Sequence, residues 1–177
     1  MIHTIKLSKN PAFALKLDLS KAYDSLNWTF LRLVMIHIGL DIEIVNWVMG
    51  CVQTASFVVL INGSSSNFFR ASRGLRQGCP LSPFLFLLIV DALSRIINHV
   101  KRARSFKGIK ITSSLELTHI LFIDDVVMLG EGTWENLKET KKILELYKKA
   151  TGMHINVEKS ILSENAILEA ITERILA

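Results

Sequence analysis

The stretch "HILFIDDVVMLG", His119 to Gly130, sets two adjacent carboxylates, Asp124 and Asp125, between runs of Ile, Leu, Phe, Val and Met that read as buried strand. Moving a bare carboxylate into an apolar interior costs several kcal/mol, so such a group is neutralised, paired or bound to a metal. Two arrangements satisfy that demand. The pair can form the tip of a tight hairpin, where Asp tolerates turn geometry and both side chains meet water. It can also form a metal site at the end of two strands. Hairpin tips usually carry Gly or Asn as well, and this one has neither.

A second stretch sharpens the choice. In "AFALKLDL", Phe13, Leu15, Leu17 and Leu19 alternate with Ala14, Lys16 and Asp18, the period-two pattern of a strand with one buried face. Asp18 belongs to the other face. If both strands share a sheet, Asp18, Asp124 and Asp125 converge at one edge, and three acidic groups there need cations. Hard oxygen ligands suit Mg²⁺, and paired ions ~3.5–4 Å apart stabilise both the attacking and the leaving oxygen of a displacement. That chemistry is phosphoryl or nucleotidyl transfer.

The rest of the chain fits one domain. Its 177 residues are 50% hydrophobic, ample for a core. The longest apolar run, Phe84 to Val90, is flanked by Pro83 and Asp91 and falls short of the ~20 residues of a membrane span. No basic segment followed by an apolar one opens the sequence, so nothing argues for secretion. Cys51 and Cys79, without a CxxC, make neither a zinc framework nor a disulfide scaffold and suit a reducing, intracellular compartment. The net charge of +5 favours a polyanionic partner such as nucleic acid. "KRAR" at 101–104, with Lys107 and Lys110, tracks phosphates, mimics a nuclear import signal, or is the solvated end of a helix, the reading favoured here.

Periodicity and stop signals predict helices from Asn27 to Gly39, from Asp41 to about Thr54, from Ser82 as N-cap with Pro83 in the first turn to the basic cluster, and from Trp134 to Ala150. Leu137, Ile143, Leu144 and Tyr147 face inward on the last, which Gly152 ends. Asn62-Gly63 predicts a hairpin within residues 56–72, and "HINVEK" a short strand. The economical architecture is α+β, with helices on one face of an antiparallel sheet.

Four segments, "KLDLSKAYDSLNW", "RGLRQGCPLSPFLF", "LFIDDVVML" and "TGMHINVEKS", occur in the order found in reverse transcriptases of non-LTR retrotransposons, and the chain resembles their palm from about Ile2 to Ser160. Four ordered motifs, at about 15–28, 73–86, 119–129 and 151–160, are far more specific than any one. The resemblance implies a single partial reverse transcriptase domain over 1–177, with fingers and thumb largely missing and supplied elsewhere in a full-length polyprotein. It implies an RNA-directed DNA polymerase that uses Mg²⁺, or Mn²⁺, with an RNA template, a DNA primer and deoxynucleoside triphosphates as partners. A rival reading is a decayed or repurposed retroelement fragment that binds nucleic acid, or only folds. A nucleotide cyclase shares the two-metal palm but explains neither "RQGCPLSP" nor "VEKS".

Carried over residue by residue, the resemblance implies Asp18 and Asp124 as the main metal ligands and Asp125 as a weaker third. It places Leu19 and Tyr23 beside the incoming nucleotide, with Tyr23 pressing on the sugar so that a 2′-hydroxyl would clash; a half-buried aromatic capping the next helix is the alternative. Asp24 reads as a helix-start residue. Gly74 and Gly78 permit close backbone approach, while Arg76 and Gln77 can meet phosphate, sugar or base. The resemblance implies that Gln77 and Gly78 contact the nascent pair. Lys159 matches a basic residue suggested to assist pyrophosphate departure; a solvated strand-end Lys is the alternative. Two positions depart from the family. Cys79 replaces the usual Asp, keeping the turn and losing one hydrogen bond. Ile123 replaces a small Ala, and its branched side chain should crowd the nucleotide sugar and lower efficiency.

Overall fold

Strand β1 (Ala12–Leu17) buries Phe13, Leu15 and Leu17, the face its alternation predicts. It pairs antiparallel with β10 (Asp125–Glu131), Leu17 opposite Val126 and Phe13 opposite Gly130. On the far side of β10 lies β9 (His119–Phe122), and on the far side of β1 lies β12 (Ile161–Glu164), giving the order β12-β1-β10-β9. The computed structural model describes residues 11–112, 115–122, 125–156 and 158–164. Ile123 and Asp124, and the stretches 1–10 and 165–177, lie outside them.

The helices pack on the Leu15 face. After β2 (Leu19–Ser20) and the single turn α1 (Ala22–Ser25), α2 (Trp28–His37) begins where Asn27 Oδ1 accepts the Thr29 and Phe30 N–H groups. That side-chain cap satisfies donors the helix itself cannot. Gly39 follows its end with φ +89°, the left-handed geometry that stops helices. Asp41 caps α3 (Ile42–Gln53) by accepting the Glu43 N–H at 2.8 Å. Thr133 and Gly152 bracket α5 (Trp134–Thr151), whose Leu137, Ile143, Leu144 and Tyr147 are buried as predicted. Burial raises the Tyr147 pKa, and the phenol keeps its proton and donates to the Ile89 carbonyl at 3.2 Å.

Two expectations for the long central helix α4 (Ser82–Arg102) need correction. Leu81, not Ser82, occupies the cap position; the Ser82 hydroxyl donates to the Arg76 carbonyl at 2.7 Å and ties the preceding loop instead. Second, α4 as a whole is long and apolar enough to cross a membrane, although its longest uninterrupted run is short. Leu85, Phe86, Ile89, Val90, Leu93 and Ile97 account for that composition, because they form the centre of the core. Its exposed side carries the Asp91–Arg95 ion pair, and its end is the solvated basic cluster, where Lys101 pairs with Glu116.

Among the described residues the other sheet face is covered only at one end. There β7 (Ile109–Lys110) and β8 (Glu116–Leu117) pair over a small cluster of Ala12, Ile109 and Leu129. The opposite end, with Lys16, Phe122 and Ile161, stays exposed. A separate ribbon joins β3 (Ser56–Phe57) to β6 (Phe69–Arg70) and β4 (Leu60–Ile61) to β5 (Ser64–Ser65). Its tip is Asn62-Gly63, both with positive φ, as the two-residue turn requires.

Candidate active site

The open end of the sheet is where the acidic residues lie. The last β1–β10 pair is Leu17 with Val126, and one further step sets Asp18 opposite Asp125. By strand parity both carboxylates belong to the face that carries Lys16, away from the helices. Lys16 Nζ lies 3.1 Å from Asp125 Oδ1, each side chain about half exposed (49% and 49%). The charge that the sequence left uncompensated thus has a protein partner at Asp125. At this exposure the pair contributes at most about 1 kcal/mol.

Asp18 is gripped through its backbone. Its carbonyl accepts the Asn156 N–H at 2.9 Å and its N–H donates to Ser160 Oγ at 3.3 Å. Beside it β2 pairs with β11 (His154–Ile155), Ser20 opposite His154 and Leu19 opposite Ile155. The strand expected over "HINVEK" is therefore only two residues long. Asn156 ends it, accepting the Lys159 N–H at its side chain and the Ser160 N–H and Oγ–H at its carbonyl. Lys159 stands exposed in the resulting turn rather than at a strand end. The Ser160 clamp spans 142 residues of sequence, and no local pattern signals it.

Residues 73–79 are fastened to the segment after Asp18. Gly74 donates to the Leu26 carbonyl at 2.8 Å, Leu75 to the Tyr23 carbonyl at 2.6 Å, and the Trp28 indole N–H to the Gly74 carbonyl at 2.7 Å. A Cβ on Gly74 would sit 2.6 Å from the Asp24 carbonyl oxygen, so the close approach expected of this glycine is real. Beside Gly78 there is open space instead; its need is the positive φ of +80°. Gln77 Nε2 donates to Asp24 Oδ1 at 3.2 Å, giving Asp24 a role beyond starting α1. Arg76, Gln77 and Gly78 are exposed.

Tyr23 is half-buried and stacks on Phe86 with ring centroids 4.6 Å apart and planes at 17°. This stacking fixes the ring's orientation whether or not a nucleotide meets its other side. Leu19 is also half-buried and packs on the core. Cys79 keeps the turn as expected: its N–H donates to the Arg76 carbonyl and its carbonyl accepts from Ser82. The Leu81 backbone N–H lowers the thiol pKa.

The donor set suits a hard divalent cation. Asp18 and Asp125 offer carboxylate oxygens, the hard ligands that such a cation prefers. Among the described residues no group of three His, Cys, Asp or Glu side chains is close enough to hold a metal, and a third carboxylate would have to come from Asp124.

Comparison with known proteins identifies the family and the fold. The family described as "Reverse transcriptase (RNA-dependent DNA polymerase)" matches residues 2–167. The Pol polyprotein of a type-1 R2 retrotransposable element from Popillia japonica is 26% identical over 143 residues, 81% of this chain and 23% of that protein. The R2DM Pol polyprotein of Drosophila melanogaster is 30% identical over 146 residues, 81% of this chain and 13% of that protein. The chain thus spans less than a quarter of either retrotransposon relative. Among solved structures, apo telomerase from Candida tropicalis has a TM-score of 0.66 at 18% identity, covering 93% of this chain and 32% of that one. Telomerase from the same organism in complex with a fragment of telomeric RNA gives a TM-score of 0.67 at 16% identity, covering 93% and 28%.

Proposed function

Because the chain belongs to the reverse transcriptase family, we propose that its open sheet end is the nucleotidyl-transfer centre of an RNA-directed DNA polymerase palm. The carrying observation is the convergence of two distant segments beside Asp18: β10 through the β1–β10 register, and residues 154–160 through the β2–β11 pair and the Asn156–Ser160 clamp. A carboxylate edge held from distant segments, with residues 74–77 fastened to the chain that follows it, suits template-directed polymerisation better than a merely structural hairpin.

In this reading Asp18, Asp124 and Asp125 hold Mg²⁺, or Mn²⁺. Bound there, the ions would supply positive charge to the primer 3′-oxygen and to the departing pyrophosphate of a deoxynucleoside triphosphate. The chain's own residues orient the reactants. Lys16 releases Asp125 or keeps it as a weaker ligand, as their 3.1 Å pairing allows. Tyr23, braced by Phe86, presents a fixed ring to the sugar. Gln77, tethered to Asp24, and Gly78, open on its Cβ side, face the nascent pair, with Arg76 exposed toward phosphate. Leu19 supports this edge from the core, and Lys159 offers a proton to the pyrophosphate. An RNA template is supported by the telomerase of like fold solved with an RNA fragment. The residues 1–177 form part of a larger enzyme whose fingers and thumb complete the grip on primer and template.

Calorimetric titration of the chain with Mn²⁺ tests the centre. The parent should bind, and Asp18→Asn and Asp124→Asn should each weaken binding at least about tenfold, the loss of a charged ligand being worth ~1.5–3 kcal/mol. Equal binding by all three proteins would remove the metal assignment and favour the non-catalytic fragment.

A further inference from the structure

No Asp or Glu occurs between Glu43 and Asp91, while the three cations in that interval, Arg70, Arg73 and Arg76, are all arginines and all exposed. One of them, Arg73, lines a cavity of about 520 Å³ with Arg32 of α2. Ser25, Thr29, Gln53 and Ser72 supply hydroxyls and an amide to the same wall, which holds no carboxylate. The first residues of α2 also line it, so the positive end of the helix dipole adds to both guanidiniums. Among the described residues neither arginine is in an ion pair; Arg32 Nη2 donates only to the Asn46 side-chain oxygen, at 2.8 Å. Two such forks left without an anion, in an acid-free wall, match a phosphate group.

We propose that this cavity seats a backbone phosphate of a single-stranded nucleic acid, at a position separate from the carboxylate edge. It includes none of Asp18, Tyr23, Gln77 or Asp125. A strand fits better than a free phosphate for two reasons. The cavity is much larger than one phosphate, and the chain just before its Ser72 and Arg73 carries Phe68, Phe69 and Arg70, the two rings being 81% and 50% exposed. Exposed aromatic rings beside arginines are the stacking platform that unpaired bases use. The strand's identity as a polymerase template rests on the proposed function; the phosphate seat does not.

The test is fluorescence anisotropy of a labelled oligouridylate with the whole chain, in EDTA so that no metal site contributes, across a range of salt. Arg32→Gln and Arg73→Gln should each weaken binding about tenfold, as loss of a charged hydrogen bond implies. Each should also flatten the salt dependence by about 0.7 in log–log slope. Arg32→Lys and Arg73→Lys should recover most of that slope, separating lost charge from lost folding. Lys142→Gln, on the exposed side of α5, should change neither. A methylphosphonate oligonucleotide should bind the parent no better than it binds Arg73→Gln. If both Gln variants match Lys142→Gln, the cavity inference is overturned while the metal centre, tested with Mn²⁺, stands unaffected. If inorganic phosphate binds as tightly as the oligonucleotide and depends on the same arginines, the strand is overturned in favour of a free anion.

Discussion

Residues 12–17 and residues 56–61 are both short apolar strand segments, yet Phe13, Leu15 and Leu17 are at most 2% exposed while Leu60 and Ile61 are 73% and 63% exposed. β1 has strands on both sides and helices beneath it. The ribbon strands pair only with each other, two residues at a time, with Phe57 and Phe69 touching at 6.0 Å. Burial of a Leu side chain is worth ~1.5–3 kcal/mol, and the ribbon forgoes most of it. Stability and function therefore lie differently in the two regions. The carboxylate edge is held by contacts between segments far apart in sequence, residues 12–20, 125–131 and 154–160, which suits groups that must keep their spacing. The ribbon leaves its apolar and aromatic side chains exposed.

Core truncation should separate the regions most. Leu17→Ala should cost about 2–5 kcal/mol in urea unfolding, the range for a buried leucine. Leu60→Ala should stay within about 0.5 kcal/mol. Equal costs would mean that the ribbon is buried in solution, and the comparison would fail.

Glycine replacement gives a smaller contrast at nearly equal backbone angles. Gly74 has φ +85° and Gly63 φ +82°. A Cβ at Gly74 meets the Asp24 backbone, which cannot yield without moving α1, whereas at Gly63 nothing lies within 4 Å. Gly74→Ala should cost about 3 kcal/mol and Gly63→Ala about 1 kcal/mol, the second reflecting left-handed strain alone. Thermal unfolding of the two variants checks this, and a cost at Gly63 as large as at Gly74 would contradict it.

The smallest effect is a pH dependence confined to one region. His119 in β9 has its pKa lowered by burial and then by Lys101, and both ring nitrogens contact hydroxyls, Ser94 at 2.8 Å and Thr118 at 2.9 Å. As pH falls below about 6.5, the unfolded imidazole takes a proton before the folded one does, so stability declines until the lower folded pKa is passed. His119→Gln should remove this part of the acid slope. Residues 55–69 contain no titratable side chain, so the ribbon's opening, followed by hydrogen exchange corrected for intrinsic rates, should stay flat over the same interval.

Local chemistry in the sequence decided the elements. The alternation of β1, the caps Asn27 and Asp41, the stops Gly39 and Gly152, and the Asn62-Gly63 turn each depend on a few neighbouring residues, and each stands where its side chains predict. Ser82 was misjudged because a hydroxyl before a helix can cap it or reach backward, and only the position of the Arg76 carbonyl chooses between them. The candidate site was half legible. Motif order identified the family and named Asp18, Gln77 and Tyr23 as candidates, since the four motif segments stand out in a sequence. Their supports did not: Lys16 beside Asp125, Ser160 on the Asp18 backbone, Phe86 under Tyr23 and the Trp28 indole on Gly74 are ordinary residue types. The same holds for Arg32 and Arg73, which share a cavity although 41 positions separate their numbers. Such pairings arise only when the sheet closes and the helices dock on it, because the energy that brings the partners together is the burial of the core and not any attraction between them.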